Sequence, residues 1–152
     1  PAKGLSIAAD VQEIYYSEVG SVGNPMLPNL MQAPLGADGG AGFGWDDVTV
    51  YKLGVQWEAT PSWTLRAGYA HCTQPVQESE VLFNILAPGI VQDHVTVGVS
   101  KLLSPKSALH VAVTRAFSQT VSGANPLEVP GQQRIELKMD QWEVELGWGF
   151  GF

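Results

Sequence analysis

The sequence predicts an all-β chain, six antiparallel strands of a transmembrane β-barrel. Three observations predict it. Six stretches of about ten residues or more alternate apolar side chains with small or polar ones, a period of two over the length a tilted strand needs to cross a bilayer. The connections between them alternate short and long, as in outer-membrane barrels. Aromatic residues gather at the ends of the stretches, where a barrel carries its two interfacial belts.

The composition agrees. Hydrophobic residues make up 45% of the 152 residues, yet no run of about 18 apolar residues occurs, which excludes a transmembrane helix. A barrel spreads its hydrophobicity in this way because only every second residue faces lipid; a soluble all-β protein has the same composition. The length suits one domain. The net charge of -7 argues against a nucleic-acid partner, and the acids form no run that would mark a disordered tail. Cys72 is the single cysteine, so no intrachain disulfide forms. The chain starts at Pro1 without a Met or a signal peptide, and it is expected to be a truncated or processed piece.

The first strand is expected over residues 4–17, with Leu5, Ile7, Ala9 and Val11 alternating with Ser6, Ala8, Asp10 and Gln12. The second, 47–58, sets Tyr51, Leu53, Val55 and Trp57 against Lys52, Gly54, Gln56 and Glu58. The third, 63–72, sets Trp63, Leu65, Ala67 and Tyr69 against Thr64, Arg66, Gly68 and Ala70. In the fourth, 92–103, Val95, Val97, Val99 and Leu103 oppose His94, Thr96, Gly98 and Ser100. In the fifth, 107–118, Leu109, Val111, Val113 and Phe117 oppose Ala108, His110, Ala112, Thr114 and Ala116. The last, 140–152, is the clearest: Trp142, Val144, Leu146, Trp148, Phe150 and Phe152 on one face, Gln141, Glu143, Glu145, Gly147, Gly149 and Gly151 on the other. No helix is expected.

The short connections are 59–62, with Pro61, and 104–106, with Pro105; the long ones are 18–46, 73–91 and 119–139. If Phe152 ends at the periplasm, both short turns are periplasmic and all long loops lie outside. Facing residues of a hairpin must share a face. Trp57 is therefore placed opposite Trp63, and Leu103 opposite Ser107, which sets Val99 by Val111 and Ser100 by His110. Tyr15, Tyr69, Phe117 and Trp142 fall towards the other rim. Arg115 sits on the apolar face near the outer end of its strand, where a cation costs only about 0–1 kcal/mol. A soluble β-sandwich or lipocalin-like barrel is the alternative. Strand length, aromatics at strand ends and glycines on the polar face count against it.

Several motifs point to a family. Phe83-Asn84-Ile85-Leu86-Ala87-Pro88-Gly89-Ile90-Val91-Gln92-Asp93-His94, the preceding Trp63-Thr64-Leu65-Arg66-Ala67-Gly68-Tyr69 with Gln74-Pro75-Val76, and Val50-Tyr51-Lys52-Leu53-Gly54-Val55 occur in the order and spacing of the FadL/TodX outer-membrane transport family. The chain resembles that family over nearly its whole length, most weakly over 19–42. The resemblance implies a fourteen-stranded barrel of the bacterial outer membrane, plugged by an N-terminal hatch. Residues 1–152 would be its C-terminal part, with the hatch and early strands upstream. It implies passive uptake of hydrophobic molecules, such as long-chain fatty acids or aromatic hydrocarbons; from the residues, no cofactor and no enzyme activity are expected. Other partners would be outer-membrane lipid and the barrel assembly machinery. Trp148, Phe150 and the terminal Phe152 resemble the assembly signal of such barrels.

Lys52 and Arg66 are the candidate polar site. With Lys52 placed opposite Gly68 and Arg66 opposite Gly54, two cations stand diagonally on the inner wall and need anions. Either wall or hatch carboxylates such as Glu58 supply them, or a substrate carboxylate does. In the first long loop Met26, Leu27, Pro28, Leu30 and Met31 form an adaptable apolar group suited to varied greasy ligands. In the second, Val81, Leu82, Phe83, Ile85, Leu86, Pro88 and Ile90 either meet ligand or pack on one another. Candidate ligand residues are therefore Lys52, Arg66, Met26, Leu27, Met31 and Phe83. Ser100 beside His110 invites a hydrolase hypothesis, but no orienting acid or oxyanion hole is evident, and a hydrogen-bonded cross-strand pair is the plainer expectation. His71, His94 and His110 lack metal-ligand spacing, with His71 expected to face outward. A structural or adhesive barrel, or a general porin, is the alternative function; a porin lumen carries many charges of both signs, whereas these inner faces carry mostly Gly, Ala, Ser and Thr.

Overall fold

Alternation with a period of two makes each expected stretch a strand, and the computed structural model, which describes residues 4–129 and 133–151, bears this out. The strands are β1 (Leu5–Ile14), β2 (Val48–Thr60), β3 (Trp63–Cys72), β4 (Asp93–Ser104), β5 (Ser107–Ala124) and β6 (Arg134–Phe150). They form one antiparallel meander in the order β1-β2-β3-β4-β5-β6, an open sheet with β1 and β6 at its edges. Both short turns lie at one end, beside Leu5 and Phe150; the three longer connections lie at the other.

The cross-strand pairs separate the two faces. One rung runs Ile7, Val55, Ala67, Val97, Val113, Val144 across all strands. The next, on the opposite face, runs Ala8, Gly54, Gly68, Thr96, Thr114, Glu143, and the one after the apolar rung runs Ser6, Gln56, Arg66, Gly98, Ala112, Glu145. The apolar face has no cover among the described residues. Ile7, Val97 and Val144 are 70%, 53% and 67% exposed. A soluble sandwich would bury this rung beneath a second sheet.

The structure corrects the register of the first short turn. Trp57 faces Leu65, not Trp63, and Trp63 faces Thr60 across a bulge. Thr60 is the reason: its Oγ accepts the N–H groups of Ser62 and Trp63 at 3.3 and 3.1 Å, which tightens the chain around Pro61. Consequently Lys52 faces Ala70 rather than Gly68, and Arg66 faces Gln56 rather than Gly54. A shift of two residues leaves every side chain on its expected face. At the second turn Val99 faces Val111 and Ser100 faces His110, as expected. A bulge at Leu103 then pairs Ser104, not Leu103, with Ser107.

The β5–β6 hairpin is longer than expected, closing the 119–139 connection down to 125–133. A bulge between Ala116 and Gln119 adds one residue to β5, so that Val121 turns to the same face as its partner Leu137. Polarity inverts here. Below the bulge this face carries Gln141, Glu143 and Glu145; above it the same face carries Met139, Leu137 and Ile135, while Arg134, Glu136, Lys138 and Asp140 point the other way and are exposed. β1, in contrast, stops at Ile14, three residues before the expected end.

The inverted face is a docking surface for the loops. Val76, Val81, Ile90, Val121 and Leu137 form a buried apolar cluster, with Trp45, Ile135 and Met139 packed against it. A Cβ on Gly123 would collide with the Glu78 carbonyl, so glycine is what lets the second loop lie this close to β5. Both loops contain one-turn helical segments, Tyr16–Glu18, Gly20–Gly23 and Asn29–Gln32 in the first and Glu78–Glu80 and Phe83–Ile85 in the second, too short for a helical period to be visible in sequence.

Candidate functional site

The small-residue face is the surface on which polar chemistry gathers. The side chains there come from alternate positions of β1 to β6, and about half are Gly, Ala, Ser or Thr, which leaves room around the longer polar ones. Lys52 donates to Gln12 Oε1 at 2.9 Å and forms an ion pair with Asp10 at 3.3 Å. Arg66 has no carboxylate within ion-pair distance among the described residues. Its Nε donates to Gln56 Oε1 at 2.7 Å and its Nη1 to Ser100 Oγ at 2.5 Å. Ser100, buried at 8% exposure, also meets His110 Nδ1 at 2.7 Å. One network thus crosses β2, β3, β4 and β5, and it borders a concavity of about 420 Å³ whose lining includes Gly98, Ala112, Glu145 and Gly147. A second concavity of about 310 Å³, floored by Ala8, Gly54, Gly68 and Ala70, lies beside Lys52 and His94.

Ser100 and His110 are therefore a cross-strand hydrogen-bonded pair. The second partner of Ser100 is an arginine, and among the described residues no carboxylate is hydrogen-bonded to His110. Glu58 pairs with neither Lys52 nor Arg66; Asp10 takes the place expected of it for Lys52. The β1–β2 register sets Lys52 opposite Asp10, and the β2–β3 register sets Arg66 opposite Gln56.

The apolar face carries its own polar exceptions at its two ends. His71 lies there, as expected, across from Tyr51 and Asp93, with Nδ1 at 2.9 Å from Asp93 Oδ1, to which the Tyr69 hydroxyl donates at 2.6 Å. Arg115 pairs with Asp140 at 2.6 Å and lies over the Trp142 ring at 5.0 Å, next to the level where the face polarity inverts. At the short-turn end Lys101 sits 5.0 Å over the Trp63 ring, Trp148 Nε1 donates to Ser107 Oγ at 2.8 Å, and Trp148 and Phe150 rings are 4.7 Å apart. Phe152 lies outside the described residues.

The loop candidates divide by exposure. Met31 is 81% exposed and Leu35, three residues past the one-turn helix that carries Met31, is 63% exposed. Leu27 is half-buried. Met26 is buried at 5%, and its N–H donates to Glu80 Oε2 at 2.9 Å, so it anchors the first loop on the second. Phe83 stacks on Phe43 with centroids 5.2 Å apart, a second bridge between the loops. In the second loop Val81 and Ile90 are fully buried, while Ile85 and Leu86 are 52% and 73% exposed.

Sequence reasoning marks the turn that begins at Asn84 as structural but assigns Asn84 itself no hydrogen-bonding role. It is fully buried; its amide donates to Phe43 O and Glu80 O at 2.7 and 2.9 Å and its Oδ1 accepts from Trp45 Nε1 at 2.6 Å. The signal available was a single amide inside the apolar stretch from Val81 to Ile90, where a polar group requires partners. Gln56 was also missed, because its role depends on register rather than on face.

The description "outer membrane protein transport protein (OMPP1/FadL/TodX)" belongs to a family model that matches residues 3–145 of the chain. No curated protein matches the chain, and no solved structure matches it.

Proposed function

The chain belongs to the OMPP1/FadL/TodX family of outer membrane transport proteins, a transport family and not an enzyme family, and from that membership we propose that it forms six strands of a closed outer-membrane barrel for passive uptake of hydrophobic molecules. In this reading residues 1–152 are the C-terminal part of the barrel, and an N-terminal hatch and earlier strands, fourteen strands in all, complete it. The solutes are long-chain fatty acids or aromatic hydrocarbons. The observation that carries the reading is the two-faced wall: an apolar rung from Ile7 to Val144 beside a rung of small residues, Ala8, Gly54, Gly68, Thr96 and Thr114, that ends in Glu143 on β6. The first suits hydrocarbon; the second lines a passage with few charges, which an apolar solute crosses without stripping water from many ionic groups.

The loop end faces outwards in this arrangement. Met31 and Leu27, with Phe83 and the anchoring Met26 beneath them, form the first apolar contact, and Lys52 and Arg66 meet the solute further in. Trp148, Phe150 and Phe152 serve the barrel assembly machinery. Small residues separate the charges of this wall, Asp10, Lys52, Glu58, Arg66, Glu143 and Glu145, which favours this reading over a general porin lined with many charges.

Uptake of radiolabelled oleate and of toluene, in cells that carry the complete barrel protein and in cells that lack it, tests the proposal. Faster entry of either solute with the protein is expected, with no gain for a small sugar of similar mass. Equal rates with and without the protein contradict it, and a gain for the sugar alone identifies a porin.

A further inference from the structure

The apolar face of the sheet carries a hollow and, on its loop side, a carboxylate. On β3 this face reads Trp63, Leu65, Ala67, Tyr69 and His71, and Ala67 is the one small side chain among them. It leaves a concavity of about 350 Å³ walled by Ile7, Leu53, Val55, Tyr69 and Val95 and lined almost wholly by carbon. The hollow is centred on β2 and β3, inside the sheet, so further strands paired at the edges leave it open.

Tyr69 forms the loop-side wall of the hollow, and its hydroxyl donates to Asp93 Oδ1 at 2.6 Å. His71 Nδ1 stands 2.9 Å from the same oxygen. A carboxylate has no proton to give, so Nδ1 carries it, an assignment made from this network. Both donors thus meet Oδ1, and Oδ2 has no partner among the described residues. A carboxylate has about four acceptor sites, so half of this one is unused. On β5 Arg115 stands across from Val95, but Asp140 takes its charge at 2.6 Å. Tyr51 faces His71 and Trp142 faces Arg115, which sets the cluster within an aromatic belt, the level of lipid headgroups.

We propose that this site holds one lipid of the surrounding leaflet, with an acyl chain in the hollow at Ala67 and a primary ammonium headgroup donating to Asp93. An ammonium brings three N–H donors and the charge opposite to that of Asp93. A quaternary ammonium has the charge without the donors, and a headgroup that is anionic overall is repelled. Tyr69 and His71 are positioning residues: they hold Oδ1 and leave Oδ2 to the headgroup. The lipid is a fixed constituent of the wall and not the transported solute. The inference rests on the apolar face pointing outwards, and not on which solute crosses.

The test is native mass spectrometry of the complete barrel protein in detergent, titrated with phosphatidylethanolamine, phosphatidylcholine and phosphatidylglycerol of identical acyl chains. One phosphatidylethanolamine is expected to be retained at about ten- to a hundredfold lower concentration than either of the others, the range of a hydrogen bond to a charged group. Asp93→Asn is expected to abolish that preference and leave retention of the other two unchanged. Ala67→Leu fills the hollow and is expected to abolish it with Asp93 intact. Position 67 faces away from the passage, so this variant also separates the site from a lipid bound inside. Heat-dependent electrophoretic mobility identifies the folded variants, and Ala67→Leu, one apolar side chain for another, decides the matter if Asp93→Asn does not fold. Equal retention of phosphatidylethanolamine and phosphatidylcholine by the wild type overturns the site. So does a preference that survives either substitution in the folded protein. Each of these results leaves the uptake reading standing, because that reading rests on solute entry.

Discussion

Arg at position 113 is expected to cost about 2–4 kcal/mol of barrel stability, while Arg at the adjacent position 112 costs less than about 1 kcal/mol. Val113 stands on the apolar rung, between Val97 and Val144. In a membrane barrel that rung faces hydrocarbon near the midplane, where a guanidinium finds neither water nor a counter-charge. Ala112 points to the opposite face, on the rung of Glu145, where the new cation meets water and an acid. The cost at 113 corresponds to about 30- to 1000-fold in the folding equilibrium, and that at 112 to less than about fivefold. Denaturant titration of Val113→Arg and Ala112→Arg in lipid vesicles measures it. Equal costs at both positions contradict the face assignment, and a larger cost at 112 reverses it.

The second large effect is expected in the loops. Replacing Asn84 with Ala removes three hydrogen bonds at once and leaves the Trp45 indole N–H and the Phe43 carbonyl without their partner inside the loop packing. Each stranded group costs about 1–3 kcal/mol, so local opening of the loops becomes at least about 30-fold more frequent. The sheet has its own strand ladder and does not depend on Asn84. Limited proteolysis therefore cuts Asn84→Ala within 18–45 or 73–91 far faster than wild type, while heat-dependent electrophoretic mobility, a measure of the intact barrel, stays unchanged. Unchanged cleavage means that Asn84 does not hold the loops together. Loss of the heat-dependent shift means that the loops hold the barrel.

The two expectations show what could be seen in sequence and what could not. Faces were legible because a strand has a period of two: Val97 and Thr96, or Val113 and Ala112, fall on opposite sides whatever the register. The register at the first turn was not legible. It depends on Thr60 capping Ser62 and Trp63, and the two-residue error moved Arg66 away from Gly54 and onto Gln56. An error of one would have exchanged the faces and been noticed. The upper part of the β5–β6 hairpin was hidden for a different reason. Ile135, Leu137 and Met139 are out of phase with Trp142 and Val144, which reads as the end of a strand, although the strand continues and its surroundings change. For the candidate site, parity found Lys52, Arg66 and the Ser100–His110 pair. Which partners neutralise each cation needed coordinates, and so did the split between the buried Met26 and the exposed Met31.

The most direct test of the account is a nitroxide scan across Val95, Thr96, Val97, Gly98 and Val99 in the complete protein, with Cys72 replaced by Ser, reconstituted in bilayers. Collision rates with lipid-soluble oxygen and with a water-soluble nickel chelate are read at each site. Oxygen access is predicted to peak at 95, 97 and 99 and chelate access at 96 and 98. Oxygen peaks at 96 and 98, or uniformly low collision at 95, 97 and 99 with both reagents, would contradict it.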